Sequence, residues 1–459
     1  MKKFVFILAF LLTLFSASAE DITGSWKGTL NVQGTKLHLV FNIEKNDNGY
    51  SGTMDSPDQG ANGIPLSSVT FENNVVTIKL KQAGIEYKGS PDGTGNIAGE
   101  FSQAGLTAKL ILSKNAEKTE PALKPQEPVK PYPYNSEEVF FENKKDGIKL
   151  AGTFTYPSKK GKYPVVVLIS GSGPQDRNEA LMGHKPFLVL ADRLTRTGIA
   201  VLRFDDRGVG KSEGNFGAAT TVDFSYDAEA AIQYLKTRKE VKTSRMGLIG
   251  HSEGGLIAPI TALRNKDVAF IVMLAGPGLS GREIVLMQQE LIGRASGMPE
   301  YEIKKNQDTN RYIFDLMKTE TDQTVLVPKI EDYLRKQLTG NTDSAKISEA
   351  LPAQIAQLTS PWMQYFLNYD PAPTLSKLKT PVLALIGSKD LQVPAKENLA
   401  AIETALKKAG NKKYVLKELE GLNHLFQECS TGSPMEYGQI EQTMSPQVPE
   451  IIAKWIKEL

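Results

Sequence analysis

The stretch Met246-Gly247-Leu248-Ile249-Gly250-His251-Ser252-Glu253-Gly254-Gly255-Leu256-Ile257 decides the fold. An apolar run ends in Gly-His-Ser-Glu-Gly, and a helix-forming run follows. A serine that attacks a carbonyl has to stand on a sharp strand-to-helix turn, so the positions two residues before and after it need the smallest side chains. The same turn sets the N–H of Glu253 at a helix start, where it can stabilise a developing oxyanion. An ordinary strand–turn–helix joint carries similar letters. The reading therefore stands or falls with a base and an acid elsewhere in the chain.

A serine hydroxyl is a weak nucleophile until a base takes its proton, and the base needs an acid to hold its tautomer. The chain has four histidines, His38, His184, His251 and His424. His38 sits in an alternating strand of a different region and reads as a surface or core residue. His184 precedes the serine, and His251 adjoins it on the turn, where its side chain is expected to point elsewhere. Only His424, in Glu420-Gly421-Leu422-Asn423-His424 just after a strand, follows the serine in the order Ser…Asp…His. The acid belongs at the end of the preceding strand, and Val382–Ile386 runs into Gly387-Ser388-Lys389-Asp390, so Asp390 is the choice over a simple helix cap. The second oxyanion donor is expected from Ser170-Gly171-Ser172-Gly173-Pro174, after the strand Val165–Ile169: the Ser172 N–H first, the Gly171 N–H as fallback.

Working outward, apolar strands at Val165–Ile169, Ile199–Phe204, Met246–Ile249, Phe270–Leu274, Val382–Ile386 and Tyr414–Leu419 alternate with helical stretches such as Phe187–Arg196, Asp223–Lys236, Glu253–Arg264, Lys396–Ala409 and Pro446–Lys457. Continuous apolar strands alternating with amphipathic helices predict a mostly parallel sheet covered on both faces, an α/β fold. Pro259 is expected to kink the helix after the serine. Lys145-Asp146-Gly147 signals a hairpin at the front of this domain, set at 137–459. The alternation stops at 277–373, where helical stretches (Glu283–Ile292, Pro299–Lys318, Lys329–Leu338, Ala345–Leu358) read as a helical cap insertion. Met287, Met317, Trp362, Met363, Tyr365 and Phe366 are set either in the cap's own core or along an acyl pocket.

Upstream, residues 115–136 hold Pro121, Pro125, Pro128, Pro131 and Pro133 among Lys and Glu, a composition that predicts an extended, semi-rigid tether. Residues 20–114 alternate with period two between turn clusters and predict a small all-β sandwich or barrel, whose Gly24-Ser25-Trp26-Lys27-Gly28 resembles the opening strand of a lipocalin-like barrel. Met1-Lys2-Lys3, the apolar Phe4–Phe15 and Ser16-Ala17-Ser18-Ala19 have the parts of a secretory signal peptide, so residues 1–19 are expected to be cleaved near Ala19 and the protein exported to a periplasm or beyond the cell. No later stretch is apolar over a spanning length, so no membrane span is expected.

Cleavage would remove Lys2 and Lys3 from 54 Lys and Arg, leaving 52 against 52 Asp and Glu. Such a balance argues against nucleic acid as a partner. Cys429 is the only cysteine, which excludes an intrachain disulfide and a multi-cysteine zinc site, and it reads as a small buried residue rather than a reactive thiol. Two decoys fail. Gly208-Val209-Gly210-Lys211-Ser212 lacks the first glycine of a phosphate-binding loop, where Asp205 stands. Asp176 and Glu213 occupy the third position of the candidate G-x-G-x-x-G runs.

With these motifs placed, the chain from Val139 onward resembles the α/β-hydrolases, and Asp205-Asp206-Arg207-Gly208-Val209-Gly210-Lys211-Ser212 is similar to the D-x-R-G-x-G-x-S loop common among them. Gly171–Arg177, Gly250–Gly255 and Ser388–Pro394 resemble the EstD-type bacterial carboxylesterases. The resemblance implies hydrolysis of short acyl esters, small-molecule substrates, through an acyl-enzyme without metal or organic cofactor. Ser170-Gly171 replaces the His-Gly pair of many lipases at the oxyanion loop. Two further readings stay open: a serine peptidase of the prolyl-oligopeptidase or aminopeptidase kind, for which Glu283, Glu290, Glu300 and Glu302 would be available, and a glycan-associated enzyme targeted by the β-domain. Oligomeric state is not legible.

Overall fold

The computed structural model describes residues 21–459 apart from 33–34, 47–48, 58–60, 104–105, 115–123, 339–350 and 353. The expected signal peptide thus lies outside the described residues. The N-terminal strands are β1 (Gly24–Val32), β2 (Thr35–Asn46), β3 (Gly49–Ser56), β4 (Ala61–Pro65), β5 (Ser68–Glu72), β6 (Val75–Leu80), β7 (Ile85–Pro91), β8 (Asn96–Gln103) and β9 (Leu106–Ser113). They pair antiparallel in the order β2-β1-β9-β8-β7-β6-β5-β3-β4, and a β2–β3 ladder joins the ends, so the sheet closes into a barrel. Alternation explains the curvature. Leu39, Phe41 and Ile43 of β2, and Val76, Ile78 and Leu80 of β6, point into one buried core with Tyr87 and Phe101. Side chains fill this interior. Trp26 is buried there, its indole N–H donating to the Ile22 carbonyl at 2.7 Å.

The Pro-rich stretch departs from expectation. Its described part is docked on the catalytic domain rather than free. Lys124 donates to the carbonyls of Gly438 and Ile440, Gln126 bonds the backbone of Thr443 and Met444, and a buried Glu127 pairs with Lys185 at 2.7 Å. Tyr134 donates to Asp192 at 2.9 Å. Composition hid this because prolines that cannot fill a core can still present neighbouring polar groups to a surface.

The second sheet comprises β10 (Asn135–Asn143), β11 (Ile148–Tyr156), β12 (Tyr163–Ile169), β13 (Ala200–Phe204), β14 (Val241–His251), β15 (Val268–Leu274), β16 (Val382–Gly387) and β17 (Tyr414–Leu419). The order is β10-β11-β13-β12-β14-β15-β16-β17, parallel from β13 to β17, with the antiparallel β10–β11 hairpin at one edge. Successive residues of each strand feed opposite cores. Val165, Val167 and Ile169 join Leu248 and Ala384 on one face, while Val166 and Leu168 join Ile249 and Leu385 on the other. Helices α1 (Pro186–Arg196), α2 (Thr221–Lys236) and α3 (Gly254–Arg264) follow their strands, and α3 runs unbroken through Pro259.

Between β15 and β16 come α4 (Gly281–Ala295), α5 (Glu300–Thr319), α6 (Gln323–Leu338) and α7 (Pro361–Asn368), the helical insertion. Part of the expected helix Ala345–Leu358 lies outside the described residues. The insertion has its own core of Leu286, Phe314, Met317, Leu326 and Ile355, against which Met363 packs. Met317 is therefore cap core, and Met363 is partly buried against it. A short α8 (Ala372–Leu375) leads into β16, and α9 (Ala395–Lys408) and α10 (Gln447–Glu458) follow later in the chain.

One buried ion pair ties the front of the domain together. Arg207 reaches Asp227 of α2 at 2.7 Å and Asp146 of the hairpin turn at 2.9 Å, and donates to the Asp223 carbonyl. Replacing Arg207 by Ala would strand the buried Asp227 carboxylate, and a loss of about 3–5 kcal/mol is expected. Urea unfolding of Arg207→Ala checks this. A loss below about 1 kcal/mol, the range of an exposed pair, would contradict it.

Candidate active site

Strand β14 ends at His251 and α3 begins at Gly254, which leaves Ser252 and Glu253 to make the turn. Ser252 takes φ +51°, the left-handed region that a side chain seldom occupies, and its N–H donates to the Leu274 carbonyl at 2.8 Å. Glycine is needed on both sides because backbone meets backbone. A Cβ on Gly250 would lie 1.9 Å from the Gly254 oxygen, and one on Gly254 would lie 2.2 Å from the Ile169 oxygen.

The parallel strands bring the other expected residues to the same edge of the sheet. Asp390, past the end of β16, accepts from the N–H groups of Gln392 (2.9 Å) and Val393 (2.8 Å) on Oδ1, and its Oδ2 lies 2.8 Å from His424 Nδ1. Both side chains are buried. A carboxylate at Nδ1 fixes the proton there and leaves Nε2 as the basic nitrogen. The His424 loop is rigid for a local reason. Asn423 Oδ1 accepts from the N–H groups of Leu425 (3.0 Å) and Gln427 (2.9 Å), folding a tight turn in which Phe426 adopts φ +61°.

The loop after β12 passes close by: a Cβ on Gly171 would lie 3.2 Å from Ser252 Cβ. Gly171, however, drops out as an oxyanion donor, because its N–H already donates to Glu179 Oε1 at 2.9 Å. Among the described residues no protein acceptor takes the N–H of Ser172 or Glu253. The D-x-R-G-x-G-x-S loop shapes this segment. Asp205 holds Arg177 through three hydrogen bonds, and Asp206 accepts from Ser170 Oγ (2.9 Å) and the Gln175 N–H (3.0 Å). Complete burial pushes the Asp206 carboxyl well above the usual range, against those two hydrogen bonds.

Several residues here were not legible in advance. Glu179, at φ +53°, and His251 are both buried and face each other at 2.9 Å. The adjoining Gly250 and Ser252 hid His251, and Glu179 lies just beyond the motif that ends at Arg177. Trp362 of α7 donates its indole N–H to Glu253 Oε1 at 2.8 Å and stacks on Phe366. Thr221 donates to the same oxygen at 2.6 Å. The decoy residues are structural. His184 is buried between Thr443, the Tyr437 carbonyl and Gln427, and burial lowers its pKa. Cys429 is half-buried rather than buried, its thiol facing the Gly421 carbonyl and pushed up by burial.

Fold and site together define a serine hydrolase of the α/β-hydrolase superfamily, carrying an N-terminal β-barrel. The chain belongs to the Hydrolase_4 family, described as serine aminopeptidase, S33, whose family model matches residues 185–428. The chain is 27% identical to "Esterase EstD" of Thermotoga maritima over 389 residues, which is 83% of this chain and 78% of that protein. An uncharacterised 31.7 kDa protein of Escherichia coli is 22% identical over 320 residues, 68% of this chain and 96% of its own. Among solved structures, the Pyrococcus furiosus esterase Pf2001 superposes at a TM-score of 0.43 and 16% identity, covering 71% of this chain and 91% of its own.

Burial raises the pKa of Glu253 despite its bonds to Thr221 and Trp362. A carboxyl raised on folding contributes stability at low pH, and that contribution is lost as pH climbs from the ordinary value of 4.5 through the raised one. Glu253→Gln keeps the oxygen that both donors use, so the variant is expected to lack this decline and to be at least as stable at neutral pH. Thermal melts from pH 4 upward compare the two; parallel curves would refute the assignment.

Proposed function

We propose that the protein is an exported EstD-type serine carboxylesterase hydrolysing short-chain acyl esters through an acyl-enzyme. Ser252 attacks the ester carbonyl and gives its proton to His424 Nε2. Asp390 holds the His424 tautomer and stabilises the imidazolium. The N–H groups of Glu253 and Ser172 receive the oxyanion. The imidazolium then protonates the departing alcohol, and water attacks the acyl-enzyme by the same route in reverse. The observation that carries this reading is the buried Asp390–His424 pair beside a serine on a left-handed elbow.

The preference for short acyl groups rests on the resemblance to the EstD-type esterases, while Trp362 fastens the cap to Glu253, the residue after the nucleophile. Export rests on the N-terminal sequence alone. The family's description favours the peptidase as second reading. Against it, the cap carboxylates that would read a free amino terminus are otherwise engaged: Glu283 caps α4, Glu290 and Glu300 bind Arg294, and Glu302 accepts from Tyr301.

Turnover of p-nitrophenyl esters is expected to peak at short acyl chains and to vanish in Ser252→Ala. Asp390→Asn is expected to lower kcat by about four orders of magnitude. A wild type that cleaves aminoacyl-anilides but no simple ester would transfer the assignment to the peptidase reading.

A further inference from the structure

Behind the elbow lies a buried group that the mechanism does not use. His251 projects from the residue before Ser252 and is hydrogen-bonded at both ring nitrogens. Nδ1 lies 2.9 Å from Glu179 Oε1, and Nε2 lies 3.0 Å from the backbone carbonyl of His424. A carbonyl oxygen only accepts, and so does an ionised carboxylate. A neutral imidazole has a single N–H and can donate to only one of the two. The geometry is satisfied on both sides when both nitrogens carry protons.

The same Glu179 oxygen also accepts the Gly171 N–H at 2.9 Å. One carboxylate thus holds the loop after β12 and the His251 ring, while the far side of that ring holds the main chain of the base itself. We propose that His251 is an imidazolium held between Glu179 and the His424 carbonyl, and that this buried ion pair locks the oxyanion loop and the base loop into one unit. Glu179 and His251 are then positioning residues for hydrolysis, which rests on Ser252 and His424 being nucleophile and base.

The surroundings agree. Facing His251 are Glu179 from the loop before α1, Asp390 from the loop after β16, and His424 from the loop after β17, whose ring centroid is 4.8 Å away. Burial pushes the His251 pKa down, but the charge and hydrogen bond of Glu179, the His424 carbonyl and Asp390 outweigh it, and the net shift is upward. By sign, the second hydrogen bond is present at low pH and is lost as pH rises through that raised value.

The test has two arms on the full chain. In the first, histidine-selective 15N labelling reads the side-chain nitrogens near pH 7, with His251→Asn assigning the His251 signals among four histidines. Two protonated nitrogens on His251 are expected; one protonated and one bare nitrogen overturns the proposal. In the second, the rate of Ser252 labelling by a fluorophosphonate is followed against pH in wild type, Glu179→Gln and Glu179→Ala. Glu179→Gln keeps an acceptor oxygen without the charge, so its rate should fall off at a lower pH than wild type. Glu179→Ala should lose about a hundredfold, the scale of a small misplacement of catalytic groups, and with ester substrates the loss should fall on kcat rather than KM. A Glu179→Gln profile that overlays wild type overturns the proposal. Should wild-type Ser252 resist labelling altogether, the triad reading fails, and the nitrogen spectrum still decides the ion pair.

Discussion

Everything at the site depends on one close approach of backbone to backbone. Gly254 presses against the Ile169 carbonyl at the end of β12, and Gly250 against the Gly254 carbonyl one turn on. With no Cβ at either place, α3 can start within three residues of the end of β14, and the chain between them has to take a left-handed turn at Ser252. A wider turn would drop the serine below the sheet's edge. Because β12, β14, β15, β16 and β17 run parallel, their following loops all emerge at that edge. The fold thus collects Gly171, Ser252, Asp390 and His424 without any of them being near another in sequence.

Most of what surrounds this turn is polar and buried, which is expensive unless every group has a partner. The chain meets that cost with overlapping pairs: Asp205 with Arg177, Asp206 with Ser170 and Gln175, Arg207 with Asp227 and Asp146, and Asp390 with His424. Of three consecutive residues, Asp205 and Asp206 therefore both hold the loop after β12, and Arg207 reaches to α2 and the hairpin turn. This accounts for the D-x-R-G-x-G-x-S segment better than any ligand-binding role, since Asp205, Asp206 and Arg207 are consumed inside the protein and the exposed Lys211 pairs with Glu138. Gly210 belongs to the same device, as a Cβ there would meet the Asp205 carboxylate at 2.7 Å.

The architecture was largely legible in the sequence because its strands are long apolar runs with turn residues at their ends. Val382–Gly387 and Tyr414–Leu419 could be placed almost to the residue. Ser252, Asp390 and His424 were legible through their order and their places after strands. Which N–H groups remain free was not, because that depends on Glu179, a residue eight positions beyond Gly171 whose carboxylate folds back to it. Nor could the partners of Trp362 be foreseen. A tryptophan at helical spacing reads as core, and only the packing of α7 against the elbow gives its N–H an acceptor. The barrel was foreseen only as far as its class, since period-two strands specify a half-buried sheet and not whether it closes. The β2–β3 ladder decides that.

The anchoring of Lys124–Tyr134 changes what it means for a barrel to be joined to a hydrolase. The catalytic domain takes hold of the chain at Lys124, ahead of its first strand at Asn135. The stretch richest in proline thus acts as a clamp, fixed through Lys124, Gln126 and Glu127 to the surface beside α10 and the Met444 main chain. Substitutions at Gln126 or Lys124 would move the point where the catalytic domain begins without adding or removing a residue.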